Sequence, residues 1–267
     1  MKKVLSIAGS DCSGGAGIQA DLKTFSAHGV YGMSVIVSVV AENTDRVIGI
    51  QDVVPDMIGK QIDAVFEDIE IDAVKVGMLS TPDCMEMVAE KLKYYRPANV
   101  VIDPVMYAKN GCPLMKPAAV DRLIGTVIPL ADVLTPNIPE AEKITGSRID
   151  SIADMEEAAK AIYRMGCRAV VIKGGHGAGR AVDVLFDGKG FCHFHADRID
   201  TKNTHGTGCT FSSAVASQLA KGMDLRQAVR KAKDYVTMAI EHSLDIGKGH
   251  GPTHHFWRLY RYGLQEG

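Results

Sequence analysis

A chain of 267 residues with 46% hydrophobic residues has enough apolar matter for a sizeable buried core. A formal net charge of −2, with no long basic run, excludes a nucleic-acid surface and leaves a small molecule as the expected partner. No apolar run nears the roughly 18 residues of a membrane span, and the apolar start, about six residues, is short for a signal sequence, so a soluble cytoplasmic protein without a membrane partner is expected.

Val4–Gly9 reads as a strand, Ser13-Gly14-Gly15-Ala16-Gly17 as a glycine loop, and Ile18–Phe25 as a helix with apolar residues at helical spacing. Together they open a βαβ unit. The glycine spacing differs from the dinucleotide fingerprint, so a loop lining a ligand pocket is expected. Met33–Ala41 reads as one buried strand ending in the polar triplet Glu42-Asn43-Thr44. Met57–Ile69 follows as a helix behind Pro55, then Ala73–Met78 as a strand and Pro82–Tyr95 as a helix.

Val100–Ile102 is a short strand delivering Asp103-Pro104, and the proline holds the carboxylate at the strand tip in extended geometry. Tyr107–Leu114 reads as a loop, Pro117–Ile128 as a helix and Val133–Thr135 as a strand reaching Pro136-Asn137. A helix starting there sets Asn137 and Glu140 on one face by i, i+3 spacing. Ile152–Met165 is amphipathic, with Ser151 as its cap. Ala169–Ile172 is a strand running into Lys173-Gly174-Gly175-His176-Gly177, and Ala181–Phe186 with Gly190–Ala196 forms a hairpin about Asp187-Gly188-Lys189.

The most informative stretch is Asn203-Thr204-His205-Gly206-Thr207-Gly208-Cys209-Thr210, which leads into a helix of small residues. Glycines let successive N–H groups turn toward one point, and a helix start adds unpaired N–H groups and a positive dipole end. The expected result is an anion cradle for phosphate, with Thr207, Cys209 and Thr210 around it. A last helix from Leu225 to Ser243 and the loop Gly247–Pro252 follow. The six cysteines, at 12, 84, 112, 167, 192 and 209, form no C-x-x-C pair and no metal-finger spacing, which fits reduced thiols.

This alternation predicts one α/β domain over residues 1–267 with a mostly parallel sheet, whose right-handed crossovers gather the strand tips on one rim. Asp11, Glu42, Asp103, Asn137, Lys173 and the cradle fall on that rim. Each has an ordinary structural explanation alone, as a cap, a solvated acid or a snorkelling lysine. Jointly, a phosphate cradle, a lysine beside two glycines and acids able to hold magnesium point to phosphoryl transfer.

The chain resembles the hydroxymethylpyrimidine and phosphomethylpyrimidine kinases of thiamine synthesis, within the ribokinase-like clan. The blocks that carry the likeness are Ala8-Gly9-Ser10-Asp11 with Gly14–Thr24, Val76-Gly77-Met78-Leu79, Asp103-Pro104-Val105-Met106 and Thr135–Ala141. They continue with Val171–His176, Asn203–Thr210 and Gly249-His250-Gly251-Pro252, in the expected order over nearly the whole chain. The resemblance implies a three-layer α/β/α fold that binds ATP and Mg2+ and phosphorylates 4-amino-5-hydroxymethyl-2-methylpyrimidine, its monophosphate, or both. It implies magnesium at Asp103, Asn137 and Glu140, and nucleotide phosphates at Asn137, Lys173, Thr207, Gly208 and Asp103. It places the pyrimidine among Gly9, Asp21, Glu42, Met78, Val105 and Cys209, under a lid formed by Tyr107–Leu114. Relatives are commonly homodimers.

Catalysis would then fall to Cys209, Gly206, Gly208 and Lys173. Where the wider clan has an aspartate base, this branch has the cysteine, as here. The helix start is expected to depress its thiol pKa and make a thiolate base available; the other reading is that Gly206, Gly208 and Cys209 act through backbone N–H groups. Glu42 departs from the glutamine frequent in the family, which keeps open the pyridine ring of vitamin B6 (pyridoxine, pyridoxal or pyridoxamine) as the substrate. Two rivals belong to other classes: a cysteine nucleophile, Cys209 with His205 as base, and a non-catalytic binder of a pyrimidine or nucleotide.

Overall fold

The computed structural model describes residues 1–108, 111–115, 117–175 and 181–263. In chain order the elements are β1 (Lys3–Ala8), α1 (Gly17–Ala27), β2 (Tyr31–Ile36), β3 (Ser38–Glu42), β4 (Val47–Asp52), α2 (Pro55–Phe66), β5 (Ala73–Val76) and α3 (Pro82–Tyr95). They continue with β6 (Val100–Ile102), α4 (Pro117–Arg122), β7 (Val133–Leu134), α5 (Ile138–Thr145), α6 (Ile152–Tyr163), β8 (Val170–Ile172), β9 (Ala181–Phe186) and β10 (Phe191–Ala196). The last three are α7 (Thr207–Ala220), α8 (Leu225–Glu241) and α9 (Trp257–Tyr262).

Eight strands form the main sheet in the order β10-β9-β8-β7-β6-β5-β1-β2. The run from β2 to β8 is parallel, and the β9–β10 hairpin is antiparallel at one edge. Side chains alternate across a strand, and here both faces are apolar. Leu5 and Ile7, Val74 and Val76, Val100 and Ile102, Leu134, and Val170 and Ile172 point to one core. Val4, Ala73, Val101, Val133 and Val171 point to the other. Parallel strands need both faces covered. The first face receives α2, α3, α5 and α6, and the second receives α1, α7 and α8. Each fully buried aliphatic side chain adds about 1.5–3 kcal/mol, so the two cores together hold the strand tips in fixed register.

Helix α7 is the most enclosed helix near the site, with Phe211 through Gln218 all buried. Its Ser212, Ser213, Ala214, Ala216 and Ser217 leave room for close approach to the sheet, and the hydroxyls bond locally: Ser212 to the Gly208 carbonyl at 3.0 Å and Ser217 to the Ser213 carbonyl at 2.8 Å. None of the described helices is long and apolar enough to cross a membrane.

The expected single strand Met33–Ala41 is instead two. It breaks at Val37, and β3 leaves the main sheet to pair antiparallel with β4, an element the sequence reading did not anticipate. The reason lies in β3, where Ser38 and Val40 are buried while Val39 and Ala41 are exposed. That period-2 pattern belongs to a strand covered on one face only. Asn137 also differs from expectation: it caps α5 from outside the helix rather than sharing a helical face with Glu140. The Pro117–Ile128 helix is regular only to Arg122 and continues as a wider turn over Leu123–Val127.

Candidate active site

A cavity of about 380 Å³ opens where the carboxyl ends of β1, β3, β5, β6 and β8 meet the first turns of α1, α5 and α7. Open parallel sheets offer ligand sites at this end. Gly9, Glu42, Met78, Asp103, Val105, Asn137, Glu140, Lys173, Gly206, Thr207, Gly208 and Cys209 all line it. Tyr107, Ala108, Gly111 and Leu114 close one side. The expected lid runs from Tyr107 to Leu114; its residues 109 and 110 lie outside the described residues, as does His176 of the Lys173 loop.

The cradle forms because two glycine loops press together. Gly206 takes φ +78° ahead of α7, and a Cβ there would collide with the Gly15 carbonyl oxygen. A Cβ on Gly208 would lie 3.2 Å from Asp103 Oδ2 and 3.3 Å from Lys173 Nζ. The N–H groups of Gly208 and Cys209 meet no backbone acceptor among the described residues, as expected for a first helical turn. Behind the turn, Thr210 Oγ1 donates to the Gly206 carbonyl at 2.8 Å, with His255 Nε2 3.0 Å from the same hydroxyl.

The C-terminal glycine loop fastens this turn to the β3–β4 hairpin. Gly251 N–H donates to Asn203 Oδ1 at 3.0 Å, His205 N–H donates to the Gly251 carbonyl at 3.1 Å, and His250 N–H donates to the Thr44 carbonyl at 2.8 Å. His205 Nε2 lies 2.8 Å from Asp11 Oδ2. That contact ties the ring to the first glycine loop, away from the role of base for a Cys209 nucleophile.

Three charges converge beside the cradle. Lys173 Nζ donates to Asp103 Oδ1 at 2.7 Å, and both side chains are largely buried. Burial pulls the Lys173 pKa down, but Asp103 and Glu140 more than offset that and leave it raised. Burial pushes Glu140 up to about 7, against Lys173, while Asp103 adds to the rise. Asn137 and Glu140 form a reciprocal capping box: Glu140 N–H donates to Asn137 Oδ1 at 2.9 Å, and Asn137 N–H donates to Glu140 Oε2 at 2.8 Å. The Asn137 side chain thereby aims Glu140, and Asn137 itself lines the cavity.

Two expectations need correction. Asp21 does not line the cavity. It is fully buried, accepting from Ser6 Oγ at 2.6 Å, Ser213 Oγ at 2.7 Å and Lys75 Nζ at 2.8 Å. Lys75 reaches the cavity in its place, a residue missed by sequence reasoning. The signal was present, since Lys75 is the one charged residue between Ala73 and Met78.

Cys209 is the second correction. Its thiol is pushed up to about 11, chiefly by burial, with Lys75 pulling down and Asp21 and Asp103 pushing up. The helix start does not outweigh desolvation, so the thiol of the free protein carries its proton.

A family model described as phosphomethylpyrimidine kinase matches residues 11–254. The thiamine biosynthesis bifunctional protein ThiED of Geobacter sulfurreducens is 51% identical over 253 residues, covering 94% of this chain, which spans only 52% of that longer protein. The hydroxymethylpyrimidine/phosphomethylpyrimidine kinase of Rhizobium meliloti is 49% identical over 261 residues, covering 96% of this chain and 98% of the relative. Among solved structures, an ADP complex of Bacillus subtilis pyridoxal kinase superposes with a TM-score of 0.89 at 43% identity, covering 96% of this chain and 98% of that one.

Proposed function

We propose that this chain, which belongs to the phosphomethylpyrimidine kinase family, transfers the γ-phosphoryl group of ATP to 4-amino-5-hydroxymethyl-2-methylpyrimidine and to its monophosphate. The observation that carries this is the convergence of the α7 cradle with Lys173, Asp103 and Glu140 on one cavity wall. In the transfer, the substrate oxygen forms a bond to the γ-phosphorus, the bond from that phosphorus to the bridging oxygen breaks, and ADP leaves. Little covalent work falls to the protein in such a reaction; positioning and charge stabilisation dominate.

Each residue has a part in that. The Gly208 and Cys209 N–H groups and the Lys173 ammonium stabilise charge on the transferred group. Met78, Val105 and the Gly9 backbone hold the ring. Gly9 keeps space for it, since a Cβ there would come within 2.6 Å of Met78 Cε and 2.9 Å of Ser38 Oγ. The acids fit a hard cation, which prefers oxygen ligands: buried Asp103 and Glu140 both interact with the Lys173 ammonium, and Glu140 is raised to about 7 in part by the Asp103 charge. Magnesium there would neutralise phosphate charge, with Asn137 fixing the Glu140 carboxylate.

Because the Cys209 thiol sits near 11, only its minor thiolate form, which has first given its own proton to solvent, can take the proton that the substrate hydroxyl loses in transfer. Cys209→Ala is therefore expected to lower kcat by about 100-fold, the low end for general-base catalysis, with magnesium-dependent ADP release as the assay. Full activity in the variant would assign the work to the backbone groups alone. Ligand binding without ADP release by the unaltered chain would favour a binding protein. Phosphorylation of pyridoxal or pyridoxine is the second reading, favoured by the likeness to the pyridoxal kinase structure.

A further inference from the structure

Lys75, on β5, is fully buried and lines the cavity. An ammonium carries three N–H donors. One meets Asp21 Oδ2 at 2.8 Å, and among the described residues Nζ has no other hydrogen-bond acceptor. A buried charge with spare donors is costly unless something offsets it. Gly77 leaves the ammonium its room, since a Cβ there would lie 2.8 Å from Nζ.

Asp21, the partner, is satisfied at both oxygens. Ser6 Oγ and Lys75 Nζ donate to its Oδ2, and Ser213 Oγ donates to its Oδ1 at 2.7 Å. The Ser213 bond seats the ion pair against one face of α7. Cys209 stands four residues before Ser213 in that helix, and i, i+4 spacing sets it on the same face. Lys75 and Cys209 therefore share one part of the cavity wall.

Burial pulls the Lys75 pKa down, but Asp21, Cys209 and Asp103 more than offset that, so the ammonium keeps its charge. Burial pushes the Cys209 thiol up, and Lys75 pulls it down more than Asp21 on α1 or Asp103 after β6 pushes it up. Lys173, after β8, also interacts with the sulfur. Glu42, Glu140 and His205 line the same cavity.

We propose that Lys75 is a positioning residue for the first transfer, the counter-charge that makes a Cys209 thiolate attainable. A neighbouring ammonium favours thiolate over thiol. Cys209 first gives its proton to solvent, with Lys75 beside the resulting charge. As the substrate oxygen bonds to the γ-phosphorus, the hydroxyl proton passes to the sulfur, the bond from phosphorus to the bridging oxygen breaks, and ADP leaves. Lys75 keeps its three protons throughout, and one proton per turnover reaches solvent. The second acceptor is a phosphate monoester, ionised at pH 8, with no proton to give, so the first transfer is the one to assay. This inference rests on the kinase reading and names what supports the base within it.

Lys75→Met alone would strand the buried Asp21 carboxylate. The test therefore removes both charges in the full chain, as Lys75→Met with Asp21→Asn. Lys75 outweighs Asp21 at the thiol, so the thiol pKa is expected to rise by about one unit, a tenfold loss of thiolate at a given pH. Iodoacetamide labelling of Cys209 at pH 9, read by mass spectrometry on its own peptide, should slow about tenfold. The kcat for 4-amino-5-hydroxymethyl-2-methylpyrimidine at pH 8 should fall by about the same factor. In a Cys209→Ala background, removing the pair should cost no more than about twofold further, as for residues that act through one another.

Unchanged labelling overturns the inference and leaves the kinase reading intact. So does a further tenfold loss, by about the same factor, in the Cys209→Ala background, which would mean a structural part or a direct contact with substrate. No ADP release by the unaltered chain would overturn the kinase reading and this inference with it.

Discussion

Lys173→Met is expected to lower kcat by about 100- to 1,000-fold, the scale for losing one pre-aimed charge in a buried site. The same substitution removes the ammonium that lies 2.7 Å from Asp103 and offsets the burial of Glu140. Two buried carboxyl groups are then left without their counter-charge, a loss of about 3–5 kcal/mol for a buried pair. Its pH dependence has a definite sign. Glu140 is already raised to about 7, so protonation relieves the repulsion in acid and ionisation restores it in base. The destabilisation is therefore expected to be larger at pH 8 than at pH 6. Thermal denaturation at the two pH values, with ADP release, checks both parts. An unchanged kcat would remove Lys173 from the transfer chemistry.

Gly206→Ala should be nearly as severe, for a different reason. The residue sits at φ +78°, where an alanine costs about 1–2 kcal/mol. Its Cβ would also collide with the Gly15 carbonyl, so the two glycine loops must separate. A displacement of about 1 Å in a positioned site costs about 100-fold in rate. Gly208→Ala should be milder, because its Cβ would meet side-chain atoms at 3.2–3.3 Å and not backbone. Steady-state kinetics and calorimetric ADP binding on both variants give the ranking. Equal losses at the two positions would mean that contact between the loops does not shape the cradle.

The strand tips were legible because the information is local. Apolar runs such as Val100–Ile102 end at Asp103-Pro104, and a parallel strand covered on both faces leaves its chemistry at its carboxyl end. The cradle was legible for the same reason, from Gly206 and Gly208 ahead of a run of small residues. What was not legible depends on distance through space. Asp21 lies in the helix read over Ile18–Phe25 and is assigned to the pocket only through the resemblance, yet its partners Ser6, Lys75 and Ser213 come from three other elements.

Cys209 fails in the same way. A helix start argues for a lowered thiol pKa, but the burial that reverses it is a property of the assembled cavity. β4 went unseen because Val47–Asp52 is mostly exposed, so it carries little of the hydrophobic pattern that marks a core strand. The tie between His205 and Asp11 joins residues 194 positions apart, beyond any spacing rule.

The most direct measurement is ADP release with magnesium and ATP, run in parallel on hydroxymethylpyrimidine, its monophosphate, pyridoxal and pyridoxine, with the mass of each product confirmed. Turnover of both pyrimidines, each gaining one phosphate, with the B6 vitamers slower, is the predicted result. A clear preference for pyridoxal or pyridoxine would contradict the substrate assignment, and no turnover of any of the four would contradict the kinase reading itself.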